Sequence, residues 1–350
     1  MGRSMLRRAG RVVRSRTALI LVGVVVSALF TYVAVRQAHP AQTGDALLAT
    51  SYAWLVPALA LMLLAFLIRA VRWHSLFPRG ERPPLGRVTT SLFIGYLGNT
   101  VLPARAGEAA RTVALNKSTG KPVAQIVGTI IVERAQDVLS LVLLLFLMFP
   151  WLPDVTWLRA AGYLAVGLVL ALALCAAVLL VWGERAVRVL LRPLARLPFI
   201  PREALERAPA HFTTGLTGLV SPRIAIVSFA WTTLSWITVG ASYWLVLVAS
   251  GIDLSPLAGE LVVIAIGLAL ILPSSPAALG VFEGATVIAL GAYGIDGSEA
   301  LSYSLVLHAL NVLPLVAIAL AVLAVRRLRR RRATEPEPVP GELGGVHDHA

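Results

Sequence analysis

"LGNTVLPARAGEAARTVALNKSTG", residues Leu97 to Gly120, sets a proline, two glycines, two arginines and a glutamate within its first fifteen positions. The surrounding chain is of another kind. Its 350 residues are 57% hydrophobic and only 14% charged, where an ordinary soluble domain carries about 25% charged residues. This is the composition of an integral membrane protein, and the quoted stretch is a break inside one of its apolar regions. How the chain passes through that break decides the fold.

Apolar runs long enough to cross a bilayer, about 20 residues each, read as Thr17 to Val35, Ser51 to Ile68, Val123 to Phe149, Ala160 to Trp182, Ile224 to Ala249 and Leu301 to Val325. Two further regions, Val88 to Leu115 and Leu257 to Ala292, are each interrupted near the middle by Pro and Gly. Lys and Arg separate by side. The amino-terminal arm (1–16), the stretches Arg69 to Arg87 and Arg185 to Arg223, and the run from Arg326 are rich in arginine, whereas the intervening loops hold only Arg36 and Arg159. The positive-inside rule then places both termini in the cytoplasm. The formal net charge of +13 is accounted for as a topology signal with some attraction to anionic headgroups, and no nucleic-acid partner is expected. Arg36 stands where a small-residue cleavage site would be, so the first helix reads as an uncleaved span of the plasma membrane.

Topology fixes the two broken regions. The first enters from the cytoplasm after Arg87 and returns there at Arg111, Lys117 and Lys121. The second starts outside at "GIDLSP" and ends outside at "YGIDGSEA". Both read as re-entrant hairpins, from opposite faces. Each lies between two full spans, and "VLPARAGEAARTVAL" rhymes with "ILPSSPAALGVFEGATVIAL". The expected fold is an all-α polytopic membrane protein of about six transmembrane helices with two re-entrant helical hairpins in an inverted repeat, halves about 51–149 and 224–325. Transporters use this arrangement to place a site near the bilayer midplane. Non-helical backbone is tolerated there only where protein or water covers it, so the hairpin tips are expected to face one another or a wet cavity. An amphipathic cytoplasmic segment is expected over 183–222, and a disordered Pro- and Gly-rich tail over 328–350.

The ionisable residues within the spans carry the chemistry. In "IVERAQDVLSLVLLLF", Glu133 and Asp137 share a helix face beside Arg134. Glu133 lies about ten residues into its span, roughly 15 Å deep, where an unpaired charge costs on the order of 3 kcal/mol or more. Arg105 and Arg111 of the first hairpin are the expected partners. Arg105, Glu108, Arg111, Glu133, Arg134, Asp137 and Glu283 form the candidate substrate-binding set. A helix starting just after Pro103 would turn its free N–H groups into the cavity and, with Arg105, suit a phosphate. In that reading Arg105 and Arg111 hold the phosphate, while Glu133 and Asp137 set its pairing and perform any proton coupling. The same charges also fit a structural network that pins the hairpin to its neighbour. Glu283 suits the capping of a helix start as well as it suits a ligand role, and His308 with Asn311 reads as a packed polar pair.

Leu-Pro-x-Arg-x-Gly-Glu-x-x-Arg at Leu102 to Arg111, Glu133-Arg134 with Asp137, and Pro273 with Gly280 and Glu283 together resemble the flippase-like family named for the membrane domain of lysylphosphatidylglycerol synthase. The resemblance runs from about Thr17 to Arg327. It implies movement of an anionic phospholipid or lipid-linked intermediate between leaflets, alongside a separate lipid-modifying enzyme. Two departures concern the cavity: a "PGGLG"-like tip in relatives is "SPAALG" here, and an Arg that many carry in the final helix is replaced by His308. The alternatives are a membrane component of an aminoacyl- or glycosyl-transfer pathway and a proton-coupled carrier of a small anion. No enzyme activity is expected. The longest cytoplasmic loop is too short for a soluble domain, and no nucleophile–base set appears. The single cysteine, Cys175, excludes an intrachain disulfide and reads as a buried structural thiol; no metal or cofactor is expected.

Overall fold

The structure is a computed structural model, and it describes residues 21–36, 38–101, 106–192, 202–272 and 275–334. Among these residues every regular element is helical. In chain order they are α1 (Leu21–Val35), α2 (Pro40–Ala49), α3 (Leu55–Ser75), α4 (Leu85–Val101), α5 (Gly107–Thr119), α6 (Val123–Met148), α7 (Thr156–Leu191), α8 (Arg202–Gly215), α9 (Thr217–Val220), α10 (Pro222–Ala249), α11 (Pro256–Ala269), α12 (Val281–Gly291) and α13 (Gly297–Thr334). Among the described residues four segments are long and apolar enough to cross a membrane: Tyr52–Ser75, Thr156–Leu191, Pro222–Ala249 and Gly297–Val322. Helix α6 has the length, 26 residues, but Glu133, Arg134 and Asp137 lower its apolar content. The first expected span, Thr17 to Val35, begins outside the described residues. Its described part, α1, turns through 81° into α2, a helix that the sequence pattern of apolar spans does not announce.

The frame is the antiparallel pair of α3 and α10. At one end the Ser51 amide donates to the Ala249 carbonyl at 2.7 Å. Further along, the Ser242 hydroxyl donates to the Ala58 carbonyl at 2.7 Å, and near the other end Arg69 Nε donates to Ser235 at 2.8 Å. Buried aliphatic residues of α3, α6 and α10 to α13 make one core. A second, around Trp73, Phe77, Leu92, Leu115 and Ile126, joins the end of α3 to α4, α5 and α6.

Helices α4 and α5 pack against each other as a hairpin. At its mouth Arg87 Nη1 donates to the Ser118 carbonyl at 2.5 Å, and Lys121 pairs with Glu81 at 3.0 Å. That mouth lies at the α3 carboxyl end. Helices α11 and α12 form the other hairpin, whose mouth lies at the α10 carboxyl end, where the Trp244 indole donates to the Leu254 carbonyl at 3.0 Å. Because α3 and α10 are antiparallel, the two hairpins open at opposite ends of the bundle. The tip of the second packs on α4 and on α1, where the Ser275 amide donates to the Ser27 hydroxyl at 3.0 Å.

Three expectations change. Helix α3 does not end at Ile68; it continues to Ser75, because Ala70, Trp73, Leu76 and Phe77 extend the buried face beyond the arginines. Cys175 is exposed rather than buried, because the membrane-spanning part of α7 meets few neighbours and presents most of its apolar surface outward. In the 183–222 segment the chain kinks at Gly183, with φ 45°, and α8 packs on α6, which leaves the amphipathic reading of that segment as it stood. Of the expected disordered tail, residues up to Thr334 continue α13, and 335–350 lie outside the described residues.

Candidate functional site

The first hairpin is closed so tightly that only glycine fits at its turn. A Cβ on Gly107 would lie 1.9 Å from the Gly95 carbonyl oxygen. The Gly107 amide, which opens α5, donates to Asn99 Oδ1 at 3.0 Å, so α4 supplies a cap for α5. Among the described residues the helix begins at Gly107, and the expected start just after Pro103 falls outside them. Leu102 to Arg105, including the expected phosphate ligand Arg105, lie outside the described residues.

One turn into α5, Arg111 reaches Glu133 of α6 with Nη1 and Nη2 both at 3.0 Å from Oε1. Its guanidinium carbon sits 4.8 Å from the centre of the Trp73 ring. Glu133 is fully buried and accepts two further arginines, Arg72 Nη2 at 3.0 Å and Arg134 Nη2 at 2.6 Å. Asp137, one turn along α6, accepts from Arg72 Nη1 and from the Trp236 indole at 3.2 Å, with Arg134 at 3.4 Å. Glu108 pairs with Arg111 at 2.5 Å and lies 3.8 Å from Arg134. Arg72, Arg111 and Arg134 thus face Glu108, Glu133 and Asp137, and the formal charges cancel. The low-dielectric interior that makes an unpaired charge costly is met by near-complete pairing.

Five of the seven candidate residues therefore converge: Glu108, Arg111, Glu133, Arg134 and Asp137. The cavity beside them, lined by Leu92, Gly95, Tyr96, Asn99, Glu108, Arg111 and Arg134, measures about 10 Å³, room for about one water. In this conformation Arg111 is spent on Glu133.

Arg69 and Arg72 of α3 were missed as site residues, because five arginines of the Arg69–Arg87 stretch read together as a cytoplasmic loop. Two signals were present. The apolar positions around them keep helical spacing through Phe77. On α10, buried hydroxyls at Ser228, Thr232, Ser235, Thr238 and Ser242 fall every three or four residues, a polar stripe that needs partners on the facing helix. Arg69 takes Ser235 from this stripe, Nη1 donates to the Tyr96 hydroxyl at 3.2 Å, and its guanidinium lies 4.6 Å above the Trp236 ring.

Glu283 is separate from this cluster. Its Oε2 accepts the Gly280 amide at 2.7 Å, capping α12, and its Oε1 meets His308 Nδ1 at 2.5 Å. His308 Nε2 lies 3.0 Å from the Ala277 carbonyl, and Phe282 stacks on the imidazole at 4.6 Å. His308 therefore straps the tip of the second hairpin, while Asn311 accepts from the Tyr243 hydroxyl at 3.3 Å; the expected His308–Asn311 pair does not form. Ala277 and Ala278 of the "SPAALG" tip adopt φ 54° and 59°, the left-handed region that glycine occupies without cost.

The family model described as "Lysylphosphatidylglycerol synthase TM region" matches residues 20–333, spanning both hairpins and the charged cluster. The chain belongs to that family. Among curated proteins it is similar to a protein named glycosyltransferase AglD from Haloferax volcanii, with 24% identity over 330 residues, taking in 85% of this chain and 53% of the relative. The chain thus spans about half the length of the curated relative it matches.

Proposed function

We propose that this protein moves an anionic phospholipid or a lipid-linked intermediate between the leaflets of the plasma membrane, with both termini cytoplasmic and the two hairpins acting as inverted, re-entrant halves. The observation that carries the reading is the placement of a charge-balanced cluster against the first of two hairpins that open at opposite ends of the bundle. A pair of oppositely inserted hairpins supplies broken helices at mid-depth from each side, the geometry expected of an alternating path. The family membership fits a lipid-handling membrane unit.

Arg105 and Arg111 are the proposed phosphate ligands. Arg111 already holds Glu133 on both nitrogens, so a phosphate arriving there competes with a carboxylate and loosens α5 from α6. In this reading ligand binding and hairpin movement are one event.

A second reading has its own support. The name of the AglD relative favours a membrane component of a glycosyl- or aminoacyl-transfer pathway that presents a lipid-linked substrate to an enzyme. Deletion of the gene distinguishes the two. Under the first, a chemically complete lipid accumulates in one leaflet; under the second, the unmodified precursor accumulates. Restoration of leaflet balance by an Arg105→Ala variant as fully as by the wild type would remove the phosphate role given to Arg105.

A further inference from the structure

Glu260, one turn into α11 of the second hairpin, is a buried carboxyl group that no cation meets among the described residues. It is 8% exposed, and its Oε1 is enclosed without a hydrogen-bond partner. The carboxyl lies directly on the backbone of α10. A Cβ on Gly240 would fall 1.7 Å from Glu260 Oε2, and one on Gly259 would fall 2.6 Å from the Gly240 carbonyl oxygen. Facing glycines thus bring the two helices together and enclose the acid between them. Gly240 stands roughly 14 Å of helix before the α10 end at Ala249, well inside a hydrocarbon core about 30 Å thick.

Helices α10, α12 and α6 pack against α11, and their ionisable groups are engaged elsewhere. On α10, Tyr243 donates to Asn311, and Arg223 stands in the first turn, roughly 25 Å of helix from Gly240. Glu283 of α12 caps its own helix and meets His308. Glu133, Arg134 and Asp137 of α6 belong to the paired cluster, and Asp253, in the loop before α11, is exposed. Glu133 and Asp137 were the carboxylates expected to couple protons, but the arginines around them favour their charged forms. Glu260 is in the reverse situation: at its depth an unpaired charge is costly and the neutral acid is not. It also lies close to the cluster, because Trp236, whose indole donates to Asp137 at 3.2 Å, precedes Gly240 by one turn of α10.

We propose that Glu260 is a proton-binding site gated by the second hairpin: the carboxyl holds a proton while α11 lies on Gly240 and gives it to water when α11 parts from α10. The step converts the acid and a water into a carboxylate and a hydronium ion, and re-docking reverses it. The link to lipid movement rests on the translocation reading, in which the hairpins move, and it supplies that reading with a proton as the coupled ion. Trp236 is the connection, since a shift of α10 against α11 reaches Asp137 through its indole.

Infrared spectroscopy of the full chain in lipid nanodiscs near neutral pH reads the proton directly. The wild type is expected to show the C=O band of a protonated carboxyl, and Glu260→Gln to lose it; the amide copies the neutral acid in size, so helix content and melting are expected to match the wild type. Gly240→Ala sets a methyl carbon against Oε2 and is expected to abolish the band with Glu260 still present and the helix content kept. No band in the wild type, or a band unchanged in Glu260→Gln, would overturn the proposal. The second measurement uses vesicles with the membrane potential clamped and a fluorescent phosphatidylglycerol. A gradient of one pH unit is a factor of about ten in the proton ratio. One proton moved per lipid is expected to bias the leaflet distribution by up to that factor, and Glu260→Gln to remove the bias. Wild-type movement indifferent to the gradient would overturn the proton link and leave translocation standing. No lipid movement at all, with the infrared result as expected, would remove the translocation reading and leave the proton site standing.

Discussion

Replacing Glu133 by glutamine takes one negative charge from the centre of the cluster while keeping its shape. In the wild type Glu133 is fully buried and accepts from Arg72, Arg111 and Arg134 at 2.6 to 3.0 Å. The arginines Arg72 and Arg111 are 1% and 2% exposed, so water cannot replace the lost carboxylate. Formal charges that cancelled now leave one positive charge uncompensated. Removing one partner of a buried pair costs about 3–5 kcal/mol. The glutamine carbonyl still accepts one hydrogen bond, which puts the expected loss near the lower end, about 3 kcal/mol. The assay is reversible unfolding in mixed micelles, followed by helix content. Arg72→Met is expected to cost a similar amount, and the double variant less than the sum by more than about 1 kcal/mol, as contacting residues do. If Glu133→Gln lies within about 1 kcal/mol of the wild type, the cluster is solvated and the pairing argument built on it is wrong.

Other perturbations probe the parts around it. Gly107→Ala is expected to force α4 and α5 apart, since the new methyl meets the Gly95 carbonyl at 1.9 Å, and to destabilise by at least about 1–3 kcal/mol; Gly86→Ala, with nothing within 4 Å of the added atom, serves as the silent comparison in the same melting assay. Ala277→Gly is expected to stabilise by about 0.5–1 kcal/mol, because relief of left-handed strain exceeds the entropy that glycine loses on folding; a lower melting temperature would show that the tip holds no strain. At the mouth of the first hairpin, hydrogen bonds from Lys121 and Gln125 hold the Glu81 carboxyl below its ordinary value. Its folded value is lowered, so its contribution to stability is present above the unfolded value and fades as pH falls through the folded one. Melting against pH is expected to show this loss in the wild type and not in Glu81→Gln. In a Cys175→Ser background, cysteines at Gly120 and Gly294 are expected to label from opposite faces of the membrane, the first from the cytoplasm; labelling of both from one face would end the inverted-hairpin reading.

The hairpins were legible because proline and glycine within an apolar run are costly in a membrane helix and therefore mark a fold decision. The meeting of Arg111 with Glu133 was legible for a related reason: buried charges need partners, and the candidates were few. The arginines of α3 were not legible by charge counting, because Arg69 and Arg72 look like a cytoplasmic basic flank until Trp73, Leu76 and Phe77 are seen to continue the buried face. The strap from His308 to Ala277 was hidden because its partner is a backbone carbonyl, which no side-chain pattern announces. The positive φ angles of Ala277 and Ala278 in "SPAALG" were hidden as well, because alanine gives no sign of left-handed backbone.

The most direct measurement reconstitutes the full chain in vesicles carrying a fluorescent phosphatidylglycerol and adds a membrane-impermeant quencher outside. Movement between leaflets is expected to let the quencher remove fluorescence beyond the outer-leaflet fraction, with the Glu133→Gln variant slower than the wild type. Quenching that stops at the plateau of protein-free vesicles, for phosphatidylglycerol and for a lipid-linked sugar alike, would contradict the translocation account.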